Sequence, residues 1–257
     1  MNILILKLVL APVIIGSASL AGRKWGPAVS GWIVGLPLTS GPVAFILAVS
    51  HGVPFAFGAI RGTLSGGFSL IAFCLTYAWL ARKFNWIIAA LTSLFVFAVM
   101  TALMQNVDIP FIPLFCAVIL VIFIGLWLMP KQTQLESSES TPGKWDIPAR
   151  ILVGTSFILL MTGIAPYIGP RLTGLLTTIP LYVSILTIFA HRHHGPASAN
   201  SVLHGLILGL FSFAGFYLVL GLLIQHTSLF LSFGAAIVGA LIVQGTTLLV
   251  IQKSHAH

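Results

Sequence analysis

The chain has 257 residues, of which 58% are apolar and 6% charged, whereas a water-soluble domain carries about 25% charged residues. At a mean hydropathy of +1.09 no soluble core could hide the apolar excess, so the composition is that of an integral membrane protein. The formal charge of +8 then reads as a topology signal, because Lys and Arg stay on the cytoplasmic side, and a nucleic-acid-binding role is excluded. Cys74 and Cys116 both lie in apolar runs and read as buried thiols rather than a disulfide.

A bilayer core takes about 20 apolar residues per helix. At that length the sequence predicts spans over 2–21, 27–50, 55–80, 85–106, 109–129, 149–166, 170–190, 199–224 and 228–251. The expected fold is an all-α polytopic membrane helix bundle of about nine transmembrane helices. Span one carries a cleavage-like Ser17-Ala18-Ser19-Leu20-Ala21-Gly22, but Lys7 interrupts the run and Arg23-Lys24 follow it, the reverse of a signal peptide. It is expected to be a retained helix. Between spans four and five, Gln105, Asn106, Asp108 and Pro110 predict a turn. The hydrophilic stretch 130–148 has no apolar period and predicts a flexible linker.

Basic residues set the direction. Arg23, Lys24, Arg82, Lys83, Lys131, Lys144, Arg150, Arg192 and Lys253 fall on one side, and Lys7, Arg61 and Arg171 on the other. This predicts an outside N-terminus, a cytoplasmic linker and a cytoplasmic C-terminus. Trp25, Trp79, Trp86, Trp127 and Trp145 read as interfacial anchors on the cytoplasmic side.

Sliding the sequence on itself gives one informative register, an offset of 143. Between Gly26 and Leu80 it yields 15 identities in 55 positions, among them Gly26-Pro27 with Gly169-Pro170, Pro37-Leu38 with Pro180-Leu181, and His51-Gly52 with His194-Gly195. Many fall on Gly and Pro, which dictate backbone shape. The expected organisation is a four-span repeat over 1–107, a joining helix over 108–129, the linker over 130–148 and a second repeat over 149–257. With one joining helix between them, the repeats should be inverted in the membrane.

The stretch from Lys7-Leu8-Val9-Leu10 through Gly26-Pro27 and Gly31 to Gly35-Leu36-Pro37-Leu38-Thr39-Ser40 resembles the repeat of small four-span GlpM-like bacterial membrane proteins of unknown function. The resemblance covers about the first 50 residues of each half. It implies a fused pair in a bacterial inner membrane. The second half departs from it with Tyr182-Val183 where Thr39-Ser40 stand.

Chemistry is expected where helices break. Gly35 to Pro42 puts two prolines into the second span, and Thr177-Thr178-Ile179-Pro180 does so more mildly in the seventh. A proline removes a backbone donor, and backbone freed at bilayer depth is tolerated where it lines a cavity or is buried in protein. The alternative is a plain kink in which Thr and Ser hydroxyls bond back to carbonyls. The candidate substrate-binding residues are therefore Pro37, Thr39, Ser40, Thr177, Thr178 and Pro180. To these are added the intramembrane cations Lys7, Arg61, Arg150 and His204, related in pairs by the offset. Snorkelling of the long side chains is their alternative role. With the acidic residues Asp108, Glu136, Glu139 and Asp146 confined to a turn and the linker, unpaired cations imply an anionic guest. Gly58, Gly62 and Gly66, with Gly205 and Gly209 at the offset, predict a close packing stripe for the broken helix that carries Thr39 and Ser40.

His191, His193 and His194, with His255 and His257, cluster without a carboxylate or thiolate, a weak metal signature, so neither a metal nor another cofactor is implied. The sequence has no H-E-x-x-H, G-x-S-x-G or phosphate loop, so an enzyme is not expected. The preferred expectation is a carrier or flippase-like transporter for a small anionic solute or phosphate-bearing lipid, working by alternating access between inverted repeats. The alternative is a non-transporting structural or assembly subunit whose glycine-rich faces meet a second copy or another membrane protein. Reporter fusions within 130–148 and at the C-terminus should both read cytoplasmic; a periplasmic C-terminus would overturn the topology and with it the inversion.

Overall fold

A chain crossing lipid must satisfy its backbone polar groups internally, which favours helices. The computed structural model describes Val34, residues 36–130 and residues 146–254. The predicted first span, the start of the second and most of the linker lie outside the described residues. The helices are α1 (Ser40–His51), α2 (Val53–Leu80), α3 (Trp86–Gln105), α4 (Phe111–Leu128), α5 (Asp146–Ile168), α6 (Pro170–Leu176), α7 (Leu181–His194), α8 (Pro196–Leu223) and α9 (Leu229–Ser254). Among the described residues seven helical segments, with α6 and α7 taken together, are long and apolar enough to cross a membrane. The fold is an all-helical bundle of the multi-pass membrane type.

The predicted boundaries need two corrections. Helix α5 begins at Asp146, inside the predicted linker. Pro148 in its first turn lacks only an N–H for which a helix start has no acceptor. The predicted seventh span extends to His194 and is interrupted at the expected place, running as two helices, α6 and α7, on either side of Thr177–Pro180.

Helices α2 and α8 pack on each other, and α4 lies across both. Gly125 marks the crossing: a Cβ there would stand 2.9 Å from Ile71 of α2 and 3.8 Å from Ile207 of α8. Helices α1, α3 and α6 surround α2, while α7 and α9 flank α8. The main core joins α2 and α8 through Phe73, Tyr77, Leu206, Phe213 and Tyr217. A second core gathers Val43, Ile46 and Leu47 of α1 with Phe157, Ile158 and Met161 of α5. The outer helices turn large apolar side chains outward, such as Leu91 and Phe95 of α3, Phe123 of α4 and Phe230 and Ile242 of α9. A lipid-facing surface needs such side chains.

Element boundaries recur at the 143-residue offset. Helices α1 and α7 end on His51 and His194, followed by Gly52 (φ 83°, ψ 169°) and Gly195 (φ 84°, ψ 178°). That backbone region is essentially restricted to glycine, and it reverses the chain with a single residue between helices. Helices α2 and α8 each have 28 residues and start at equivalent positions, 53 and 196. Helices α3 and α9 start at 86 and 229, again 143 apart.

The glycine face of α2 receives α6, which corrects the sequence expectation. A Cβ on Gly58 would meet the Pro170 ring at 2.9 Å, one on Gly62 the Arg171 carbonyl oxygen at 2.1 Å, and one on Gly66 the Thr178 hydroxyl at 2.3 Å. The stripe thus holds the broken helix carrying Thr177 and Thr178, not the one carrying Thr39 and Ser40. From the other side, a Cβ on Gly174 would lie 2.0 Å from the Ala59 carbonyl oxygen and 2.6 Å from the Thr63 nitrogen. Neither backbone group can yield as a flexible side chain would. Gly174→Ala should therefore destabilise the bundle by about 1–3 kcal/mol, the usual cost of overpacking. Gly163→Ala, which meets nothing within 4 Å, should be tolerated. Thermal unfolding in detergent checks both, and equal melting temperatures would contradict the α2–α6 packing.

Candidate functional site

Both predicted breaks end in the same backbone device. At Pro180 (φ −78°, ψ 53°) the chain makes an inverse γ-turn, with Leu181 N–H donating to Ile179 O at 2.8 Å. At Pro37, Leu38 N–H donates to Leu36 O at 2.7 Å. One turn later Gly41 N–H reaches Pro37 O and Ser184 N–H reaches Pro180 O, both at 2.9 Å. The cause lies in proline: it withholds the N–H that would continue the helix. The end of α6 tightens to compensate, Thr178 N–H turning to Leu175 O and Ile179 N–H to Leu176 O.

Hydroxyls collect at these breaks. Thr63, Thr177, Thr178, Ser40 and Tyr217 are all buried. Thr63 donates to Ala59 O at 2.9 Å, and Thr177 and Thr178 donate to Gly174 O and Leu175 O at 2.6 Å each. The fold-back bonds expected for a plain kink therefore coexist with a true break. The Thr63 and Thr177 oxygens stand 3.2 Å apart. Either hydroxyl can donate across that gap in place of its bond to a carbonyl. The Tyr217 hydroxyl stands beside those of Ser40 and Thr63 without a hydrogen bond of acceptable geometry to either. Ser40, Tyr217, Thr63 and Thr177 thus form a continuous polar layer between the two breaks. It carries no charged side chain, and the Tyr217 hydroxyl is left without an acceptor. Thr39 is half-buried at the start of α1 and does not cap it.

About 9 Å away along α6, at 1.5 Å per residue, lies a charged cluster at one end of the bundle. Arg61 Nη2 donates to Asp108 Oδ1 at 2.6 Å and to Ile109 O at 2.8 Å. Arg171 Nη2 donates to Met104 O at 3.0 Å and also to Val107 O, and its Nη1 lies 3.6 Å from Asp108 Oδ1. Arg171 thereby ties α6 to the last turn of α3 and to the loop that follows it. The expectation of an unpaired Arg61 is thereby corrected: Asp108 reaches it because the α3–α4 turn ends at its depth. The cluster lines a cleft of about 70 Å³ that also includes Gly58 and Ser65.

The remaining candidates are apart from both places. His204 is half-buried on α8, and Arg150 is on α5, its side chain outside the described residues, as is all of Lys7. At the opposite end of the bundle His191 Nδ1 lies 3.3 Å from the Tyr77 hydroxyl, and His193 stacks on Phe189. There Trp79 Nε1 donates to Leu128 O at 3.0 Å, and the Arg82 guanidinium sits 5.3 Å over the Trp79 ring.

Sequence reasoning named Thr39, Ser40, Thr177 and Thr178 but missed Thr63 and Tyr217. Thr63 sits next to Gly62 in the stripe, which was the available signal. Tyr217 has Cys74 at the offset, and nothing in the sequence marked it. No protein-family model, curated protein or solved structure matches the chain.

A buried donor without an acceptor costs about 1–3 kcal/mol. Tyr217→Phe should accordingly raise the stability of the ligand-free protein by about 1 kcal/mol or more, read as a higher midpoint in thermal unfolding. A lower midpoint would mean that the hydroxyl is satisfied within the fold.

Proposed function

We propose that this protein is a membrane carrier, flippase-like in its mechanics, for a small anionic solute or a phosphate-bearing lipid. It would work by alternating access between two inverted repeats in a bacterial inner membrane, with the N-terminus outside and the C-terminus in the cytoplasm. The observation that carries this reading is the pair of proline breaks at 37 and 180, 143 residues apart and each closed by a hydrogen bond from the residue after the proline to the carbonyl before it, with a buried layer of hydroxyls between them. Carriers built from inverted repeats place their sites where interrupted helices meet near the midplane. The recurrence of helix ends at His51 and His194 and of helix lengths in α2 and α8 supports the duplication on which inversion depends.

Two further observations support it. The cleft of Arg61 and Arg171 lies about 9 Å along α6 from the layer and carries more positive than negative charge. The glycine face of α2, which the assembly-subunit alternative would offer to a partner, is filled by α6 within the same chain. The layer itself holds the guest by dipoles and hydroxyls, and the start of α1 presents the positive end of a helix beside Ser40.

Alternating access has a direct test. In a background with Cys74 and Cys116 replaced by Ser, Thr178→Cys should react with a membrane-impermeant thiol reagent from either face. Intact cells and inside-out vesicles supply the two faces. Reactivity from one face only would describe a vestibule, and reactivity from neither would hand the protein to the assembly-subunit reading.

A further inference from the structure

We infer that the cleft between α2, α6 and the α3–α4 turn is an oxyanion site in which the Asp108 carboxylate is the resident occupant, displaced by a phosphate or carboxylate group that binds Arg61 and Arg171. The site stands whether or not the protein transports anything.

The donors decide it. Arg61 spends only Nη2, on Asp108 Oδ1 and Ile109 O; its Nη1 and Nε have no acceptor among the described residues. A guanidinium presents five donors in a rigid fork matched to oxyanions, so most of this one's capacity is unspent. Arg171 is tied to the end of α3 through Nη2, and its Nη1 approaches Asp108 only to 3.6 Å, too far for a hydrogen bond. Two cations therefore share one carboxylate held firmly by one of them. That carboxylate's side chain is 74% exposed, against 32% and 30% for the arginines, so it sits at the rim and the cations sit deeper.

Size and exchange agree. A cleft of about 70 Å³ exceeds two water volumes of about 30 Å³ each, which suits a tetrahedral oxyanion. A pair this exposed contributes about 1 kcal/mol or less, so an anion at millimolar concentration can compete for it. A divalent oxyanion would neutralise both guanidiniums, which Asp108 alone does not do.

Phosphate can arrive as a free ion or on a lipid headgroup, and the test separates the two. Purified wild type, Asp108→Asn and the double variant Arg61→Gln/Asp108→Asn are followed by thermal unfolding with sodium phosphate or sodium formate, against sodium chloride at equal ionic strength. The same proteins are compared in nanodiscs of phosphatidylcholine with and without phosphatidic acid. Asp108→Asn should melt lower than wild type in chloride and recover in phosphate, and formate should replace part of the missing carboxylate. Its phosphate midpoint should be lower than that of wild type by up to about fivefold, the equivalent of about 1 kcal/mol. Recovery with phosphatidic acid alone would assign the seat to a lipid headgroup, and recovery with inorganic phosphate would assign it to a free anion. The double variant should respond to neither.

The inference is overturned if Asp108→Asn responds to no oxyanion or if the double variant responds as the single one does. Should Asp108→Asn fail to fold, equilibrium dialysis of labelled phosphate against wild type and Arg61→Gln decides instead, with retention lost in the variant or the site refuted. These readouts measure binding, so their failure leaves the Thr178→Cys accessibility result standing, and the reverse holds as well.

Discussion

The approach of α6 to the glycine face of α2 is the contact on which both polar sites depend. Lipid offers no hydrophobic drive for helix association, so close backbone packing must supply the attraction. Gly58, Gly62 and Gly66 on one side and Gly174 on the other remove the side chains that would hold the helices apart. That approach brings Thr177 to Thr63 and seats Thr178 against Gly66. At the other end of the same short helix it carries Arg171 to the α3–α4 turn. A seven-residue helix would be marginal by itself; here it is held along its whole length by a neighbour four times as long.

Much of the architecture was legible in the sequence because it rests on residues whose backbone demands are strict. Proline at 37 and 180 and glycine at 52 and 195 specify the breaks and reversals at those positions, where helices start or end. The partner of the glycine stripe was not legible. Periodicity shows which face of α2 is small, but not which helix fills it, and both broken spans fitted the description equally well. The pairing of Arg61 with Asp108 was hidden for a related reason: the two are 47 residues apart, and the depth at which a turn ends depends on how far α2 extends beyond α3. Tyr217 gave no signal because an aromatic residue in an apolar helix is indistinguishable from core filling until its hydroxyl is found without an acceptor.

The cost of burying charge separates the two polar regions. A guanidinium deep among apolar helices must be paired or reach water, and Arg61 and Arg171 meet that condition with Asp108, with carbonyls of the α3–α4 turn and with partial exposure. The layer around Thr63 and Tyr217 is closed to solvent and holds only neutral hydroxyls. Such a layer can exist without a guest at a modest cost, one unsatisfied donor, whereas a bare guanidinium at that depth could not. Charge at the mouth and neutral dipoles at the centre are therefore what a dry bundle of this kind can sustain.

The same constraint makes the two ends of the bundle unequal. At the 143-residue offset Arg61 has His204 as its counterpart, Arg171 has Ala28 and Asp108 has Ile251. The charged clasp, which draws Arg61 and Arg171 from different halves, therefore has no counterpart at the offset. The opposite end has its own polar residues, His191 against Tyr77 and Arg82 over Trp79, which differ in chemistry and in the helices they join. The hydroxyl layer is also uneven, since Thr63 faces Leu206 and Tyr217 faces Cys74 across the offset. Thus helix boundaries recur at the offset while these polar side chains do not. Equal helix lengths therefore do not make the two ends of the bundle equivalent, because the Arg61–Asp108–Arg171 contacts lie at only one of them.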